Sequence, residues 1–179
     1  MNNSFKIKMN FEDICKICRE NPTLFESYHY SILQGGFDLN EYLNTLITRC
    51  YPNFVSIAKI QELVVRGAEI KPQVVTRACI MSPEFLKYAF DFNLIQDKDE
   101  LLWQFFNNTC DFDGLIVNRN TNSRIENHFH SQISKILAEG ANPNHKNESG
   151  ISVIQKALEF PEFFQRSINL LLESGAGID

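Results

Sequence analysis

The side chains able to do chemistry fall in a few short patterns. Cys15 and Cys18 form a C-x-x-C. Metal or redox use of that pair would need a second pair or histidines at ligand spacing, and His29 is the nearest histidine in sequence. Phe11, Ile14, Cys15 and Cys18 also lie on one apolar helical stripe, so these thiols are expected in the core. His128 and His130 are two residues apart, which on a helix points them to different faces. Asp111-Phe112-Asp113-Gly114 has the opening of a calcium loop, but Asn118 and Asn120 are followed by no Glu at the required offset. Cys50, Cys79 or Cys110 could meet His29 or His145 as a nucleophilic pair, yet no nucleophile motif surrounds any of them. Neither a P-loop nor a G-x-G-x-x-G occurs. The expectation is a protein without catalytic site, metal or cofactor, with a small cysteine-dependent enzyme as the alternative.

Composition narrows the partners. Seventeen Lys and Arg face 22 Asp and Glu among 179 residues, a net charge of −5, with pI near 5.4. No basic field gathers phosphates, which argues against nucleic acid as a partner. An apolar fraction of 44% with 22% charged residues predicts a folded chain. No window approaches ~18 consecutive apolar residues, so no membrane insertion is expected. The first residues lack a signal-peptide core, the last residues carry no prenylation or retention signal, and the five cysteines are odd in number. Together these favour a reducing, cytoplasmic location, or delivery into a host cytosol. Phe is abundant, at 15 residues.

The elements that would position such residues repeat. Gly67-Ala68-Glu69-Ile70, Gly140-Ala141-Asn142-Pro143-Asn144 and Gly175-Ala176-Gly177-Ile178-Asp179 each follow an apolar stretch, and Gly36-Phe37-Asp38-Leu39-Asn40 is a looser copy. The glycines are spaced 31, 73 and 35 residues apart, and the long gap holds a weak copy at 88–93. A glycine ending a helix takes positive φ without a Cβ penalty. A small Ala then admits the next layer, and Asn or Asp turns the chain. Between these phrases the apolar residues follow helical spacing, as in Phe160, Phe163, Phe164, Ile168, Leu171 and Leu172. Helices are predicted at 11–20, 41–50, 73–80, 98–107 and 151–158, with partners at 23–34, 54–66, 84–90, 124–139 and 161–174. Pro22, Pro52, Pro83 and Pro161 mark the junctions within pairs. The predicted fold class is all-α, with about five stacked helix pairs.

The stretch from Ile136 to Asp179 resembles the ankyrin repeat. Asn144 and Asn147 stand where that family has its turn residues, and Gly150 matches its glycine. Ser152-Val153-Ile154-Gln155 occupies the T-P-L-H place, and Ala157 the small helix position. Leu170-Leu171-Leu172-Glu173-Ser174-Gly175-Ala176 is close to the family's ending. Val153 replaces the proline and Gln155 the histidine, and the period of 35 implies about two extra residues, placed near Phe160-Pro161-Glu162. The match is good over about 45 C-terminal residues, moderate over 31–70 and weak elsewhere. A tetratricopeptide-like array is the runner-up architecture, but it lacks the G-A-x-x-N signal. The resemblance implies one ankyrin-type solenoid over 1–179, with approximate units 8–40, 41–70, 71–95, 96–144 and 145–179.

The resemblance also implies a protein-binding module, an adaptor or inhibitor, whose first helices and finger turns recognise another protein. Aromatic and Arg anchors dominate such surfaces, which makes Arg49, Tyr51, Arg77, Trp103, Phe106, Arg119, His145 and Lys146 the candidate partner-binding residues. The irregular stretch from Asn107 to Arg124 is longer than a repeat junction needs and is either a packed insertion or a binding loop. The AT-rich style of composition suits a secreted effector of an intracellular bacterium, or a viral host-interaction protein. A C-terminal unit without an extra capping helix allows self-assembly into a homo-oligomer.

Overall fold

The computed structural model describes residues 10–35, 37–53, 55–110 and 122–178. The protein is all-helical, and no strand occurs among the described residues. In chain order the helices are α1 (Phe11–Glu20), α2 (Pro22–Gln34), α3 (Leu39–Arg49), α4 (Ile57–Val65), α5 (Pro72–Met81), α6 (Pro83–Asp91), α7 (Lys98–Cys110), α8 (Asn122–Ala138), α9 (Val153–Ala157) and α10 (Pro161–Glu173). These ten fall on the ten predicted windows, with α9 shortened to one and a half turns. Helix α7 continues to Cys110 and α8 starts at Asn122, so the predicted irregular stretch loses residues at both ends to helix. Residues 111–121, and with them the acidic Asp111–Gly114 phrase, lie outside the described residues. The chain divides into two compact units, Met1–Phe85 and Leu86–Asp179.

In the first unit, short polar side chains start α1, α2 and α3. The Asn10 side chain accepts from the Asp13 N–H at 2.9 Å, and Asn21 from that of Leu24 at 3.0 Å. Asp38 accepts from the N–H groups of both Asn40 and Glu41. Each satisfies donors that a helix start leaves without intrahelical partners. Pro22 and Pro72 occupy first-turn positions, where the missing N–H costs nothing. Helix α1 packs on α2 and α3, and α3 packs on α4 and α5. Ile14, Phe25, Tyr42, Leu43, Leu46, Ile60, Leu63 and Cys79 fill the interior.

In the second unit, α8 packs on α7 and α10, and α9 packs on both α7 and α10. Phe106 and Phe164 meet edge to face with ring centroids 5.0 Å apart, and Phe164 lies 6.4 Å from Phe129. The abundant Phe residues thus contribute large apolar area with no polar atom to satisfy. Before α9 the chain makes a turn closed by a bridge between Lys146 and Ser152. Asn147 Oδ1 accepts from the N–H groups of Ser149 and Ile151. Ser152 and Gln155 then form a reciprocal capping box at the start of α9.

One helix ending recurs in the two units. Gly67, Gly140 and Gly175 have φ of 92°, 94° and 93°. After each, an Ala N–H reaches back to a helix carbonyl: Ala68 to Leu63, Ala141 to Ile136 and Ala176 to Leu171, at 3.0, 3.3 and 2.9 Å. This is the left-handed cap that closes a helix C-terminus. Asn93 (φ 54°) makes the same cap after α6, with the Leu94 N–H on the Ala89 carbonyl at 2.8 Å. Asn tolerates the left-handed region better than most residues, so the weak phrase at 88–93 ends in the same kind of cap. The looser copy at Gly36 lies outside the described residues, and α2 ends at Gly35 with φ of −97°.

The loops after these caps are held by side chains from a preceding element. Asn44 Nδ2 donates to the Glu69 carbonyl at 2.9 Å while its Oδ1 accepts from the Lys71 N–H at 2.8 Å. Asn40 Oδ1 accepts from the Glu69 N–H at 2.8 Å. In the second unit, Asp99 accepts from the Asn142 N–H at 2.7 Å, and Lys98 donates to the Glu139 carbonyl. Asn144 donates to the Gly175 carbonyl and accepts from the Gly177 N–H at 2.7 Å. A polar side chain near one turn or helix start therefore clasps a later Gly-Ala loop, at separations of 29, 43 and 33 residues.

Candidate partner-binding groove

In the first unit, residues on and beside α1, α3 and α5 frame a groove of about 840 Å³. Helix α3 supplies its floor. Tyr42, Leu43, Leu46 and Ile47 turn inward, while Glu41, Asn44, Thr45 and Thr48 line the groove at helical spacing. The 3.6-residue period thus splits α3 into an apolar stripe that packs and a polar stripe that faces the opening. Phe37 and Asp38 close one end, and Lys71, Gln73 and Val74 bring the start of α5 to the rim.

Charge is distributed along this surface in both signs. Glu12, Asp38 and Glu41 are acidic, and Arg49 and Lys71 are basic. Glu12 of α1 and Arg49 of α3 pair at 3.3 Å, with both side chains mostly in solvent. A pair so exposed contributes little stability, ~0–1 kcal/mol, and its members can exchange partners cheaply. Thr48 donates back to the Asn44 carbonyl at 2.7 Å, which fixes its rotamer. Asn44 is held by its clasp to the Glu69–Lys71 segment. The floor is therefore ordered in advance, while its charged rim is adaptable.

A buried polar cluster lies elsewhere in the same unit. His29 Nδ1 is 2.9 Å from the Tyr42 hydroxyl, and its Nε2 is 3.5 Å from a Glu62 oxygen. Burial, followed by the nearby Lys59 charge, pushes the His29 pKa below its ordinary value, and Glu62 only partly opposes this. Burial alone would raise Glu62, but the hydrogen bond from Arg66 and the nearby His29 outweigh it and lower its pKa. Burial also raises Tyr42, and it pushes the Cys79 thiol up to about 12. Such a thiol is not a nucleophile at neutral pH.

The candidate partner-binding residues are scattered by the fold. Arg49 lies on the groove. Arg77 is exposed on α5 but does not line it. Tyr51 is buried, its hydroxyl donating to Ser82 Oγ at 2.8 Å and its ring packed on Phe85. Trp103 and Phe106 are buried on α7, Phe106 completely. These three aromatics serve as packing, because a large apolar ring gains more inside the protein than at its surface. His145 and Lys146 sit on the turn before α9, with His145 Nε2 3.6 Å from Glu100 and Lys146 exposed. Arg119 lies outside the described residues.

Asn44, Thr45, Thr48, Lys71 and Gln73 were not among the expected residues. The signal for Asn44, Thr45 and Thr48 was the polar i, i+3, i+4, i+7 stripe that they form with Glu41 on α3, which a search for aromatic and Arg anchors passes over; Lys71 and Gln73, at the start of α5, carried no such signal. Among the described residues, no group of three or more His, Cys, Asp or Glu is arranged to hold a metal ion, and no helix is long and apolar enough to cross a membrane. No family model matches the chain, and neither a curated protein nor a solved structure matches it.

Proposed function

We propose that the chain is a degenerate ankyrin-type repeat array that acts as a protein-interaction module, receiving a segment of a partner protein in the α1–α3–α5 groove. The groove itself carries this reading: it follows the first helices of successive pairs, and its floor is polar and held in place before any partner arrives. Three features support the array. Left-handed Gly-Ala caps recur, polar side chains clasp the next such loop, and Ser152 with Gln155 caps α9 at the place of the family's T-P-L-H phrase. Preorganisation of this kind lowers the ordering cost of binding. A partner segment carrying both signs of charge matches the rim, with an acidic group replacing Glu12 beside Arg49.

Two other readings are weaker. A cysteine-dependent enzyme needs a reachable thiolate, whereas Cys15, Cys18, Cys50 and Cys79 are all buried. Self-assembly through the last pair needs an apolar outer face, whereas the exposed side of α10 presents Glu162, Gln165, Arg166, Asn169 and Glu173, with Leu172 as its one exposed apolar side chain beyond the first turn.

The test is affinity capture from native or host lysate with the full chain and two variants. Thr45→Arg fills the groove floor, and Val65→Arg changes an exposed position on α4, 86% accessible, that does not line it. The proposal predicts a specific partner retained by Val65→Arg and lost at least about tenfold by Thr45→Arg, a change of ~1.4 kcal/mol. Equal capture by the two variants, with both folded by circular dichroism, contradicts it.

A further inference from the structure

The charges of the groove in the first unit are sorted along its length. At the start of α3, Asp38 and Glu41 are acidic and exposed, and the neighbouring Phe37 ring, 39% exposed, lines the same end. The cations come later along α3. Lys71 enters level with Asn44, whose Oδ1 accepts from its N–H at 2.8 Å. Arg49 is the last residue of α3 and already holds a carboxylate, that of Glu12, at 3.3 Å in solvent. The groove therefore runs from an acidic, aromatic end to a basic end, and Glu12 shows how a carboxylate is received at the basic end.

Spacing decides what can engage both ends. Glu41 and Arg49 are eight residues apart, and Asp38 and Arg49 eleven. At helical rise this places the ends about 12–16 Å apart. An extended chain covers that distance in about four or five residues. The floor favours the extended form. Thr45 and Gln73 present a hydroxyl and an amide, which suit the unpaired N–H and C=O groups of an extended backbone. A docked helix has already paired those groups and needs an apolar floor.

We propose that the groove takes an extended partner segment with a Lys or Arg and an Asp or Glu about four or five residues apart. The segment's cation sits on Phe37, Asp38 and Glu41, and its carboxylate on Arg49. This occupant rests on the groove reading above and adds its chemistry and spacing. The cation gains an aromatic face as well as the carboxylates. The carboxylate takes Arg49 from Glu12, which turns to solvent at little cost because that pair is exposed. A segment docked in the reverse direction would set like charges together at both ends, so the charges also fix its direction.

The probe is a phage library of short random peptides selected on the immobilised full chain, with the selected peptides then synthesised and titrated. The expected peptides carry opposite charges about four or five residues apart. Thr45→Arg should weaken them at least about tenfold, as for any occupant of the groove. Arg49→Glu should weaken them at least about fivefold, and exchanging the peptide's acidic residue for Lys should recover most of that loss. Glu41→Lys should cost at least about threefold, and under about twofold once the peptide's basic residue is Ala. Both sites are exposed, and circular dichroism checks the fold of each variant. Asp38 is kept because it caps α3. Peptides that are lost with Thr45→Arg but lack the charge pair, carry it at the longer spacing of a helix, or ignore Arg49→Glu overturn the proposal and leave the groove reading standing. No selected peptide, or peptides indifferent to Thr45→Arg, overturn both.

Discussion

Replacing Asn44 with Ala tests the clasp that links α3 to the loop after α4. The side chain is 7% exposed and makes three hydrogen bonds, to the Asn40 carbonyl (2.7 Å), the Glu69 carbonyl (2.9 Å) and the Lys71 N–H (2.8 Å). The bond to Asn40 lies within α3 and is partly redundant, because that carbonyl already serves the helix. The other two have no substitute inside the protein once the side chain is gone. At about 0.5–1.5 kcal/mol per bond, with a further charge for polar groups left under the surface, the loss should be ~2–3 kcal/mol. In a chain of 179 residues this lowers the thermal midpoint by roughly 5–10 °C. Asn40→Ala removes one exposed bond, to the Glu69 N–H, and should cost under about 1 kcal/mol. Urea unfolding gives the energies, and hydrogen exchange gives their location. Protection should fall at Glu69 and Lys71 in Asn44→Ala before it falls in α3. A loss below about 0.5 kcal/mol, or exchange unchanged at 69–71, would refute the reasoning that this side chain ties the pair to the next.

The left-handed caps make a contrast of two substitutions at one site. A Cβ at Gly140 would meet nothing within 4 Å, so Gly140→Ala should cost ~1–2 kcal/mol through backbone conformation alone, and Gly140→Asn clearly less, as urea midpoints would show. Ser152→Ala breaks the capping box of α9 and should cost about 1 kcal/mol by the same measurement. His29 binds a proton less readily folded than unfolded, because burial and Lys59 lower its pKa. Its contribution should be complete above about pH 6.5 and fall away as pH drops towards the folded-state pKa. Urea midpoints from pH 7 to pH 5 should therefore decline more steeply for the wild type than for His29→Gln, and parallel slopes would contradict the assignment.

The helices were legible because their apolar residues keep a 3.6-residue period and because proline and glycine punctuate them. Pro22, Pro83 and Pro161 do open helices, and Gly67, Gly140 and Gly175 do close them. The cap at Asn93 was only a weak phrase, since an Asn in the left-handed region has the same letters as an Asn in any turn. The clasps were invisible: nothing local shows that Asn44 bonds to residue 71 rather than to solvent. The candidate partner-binding aromatics turn inward for a different reason. Tyr51, Trp103 and Phe106 have the residue types of interface anchors, but burial within the chain offers the same gain in area, and here it takes them. The polar stripe of Glu41, Asn44, Thr45 and Thr48 could have been read as a surface, because the residues between it form a complete core stripe.

A partner that enters along α1, α3 and α5 must pass the start of α5. The most direct measurement places a photo-cross-linking amino acid at Gln73, exposed on the groove rim, or at Val65 as the control. After irradiation in lysate, one specific cross-linked protein is expected from position 73, suppressed by Thr45→Arg, and none from position 65. The same adduct from both positions, or one from position 65 alone, would contradict it.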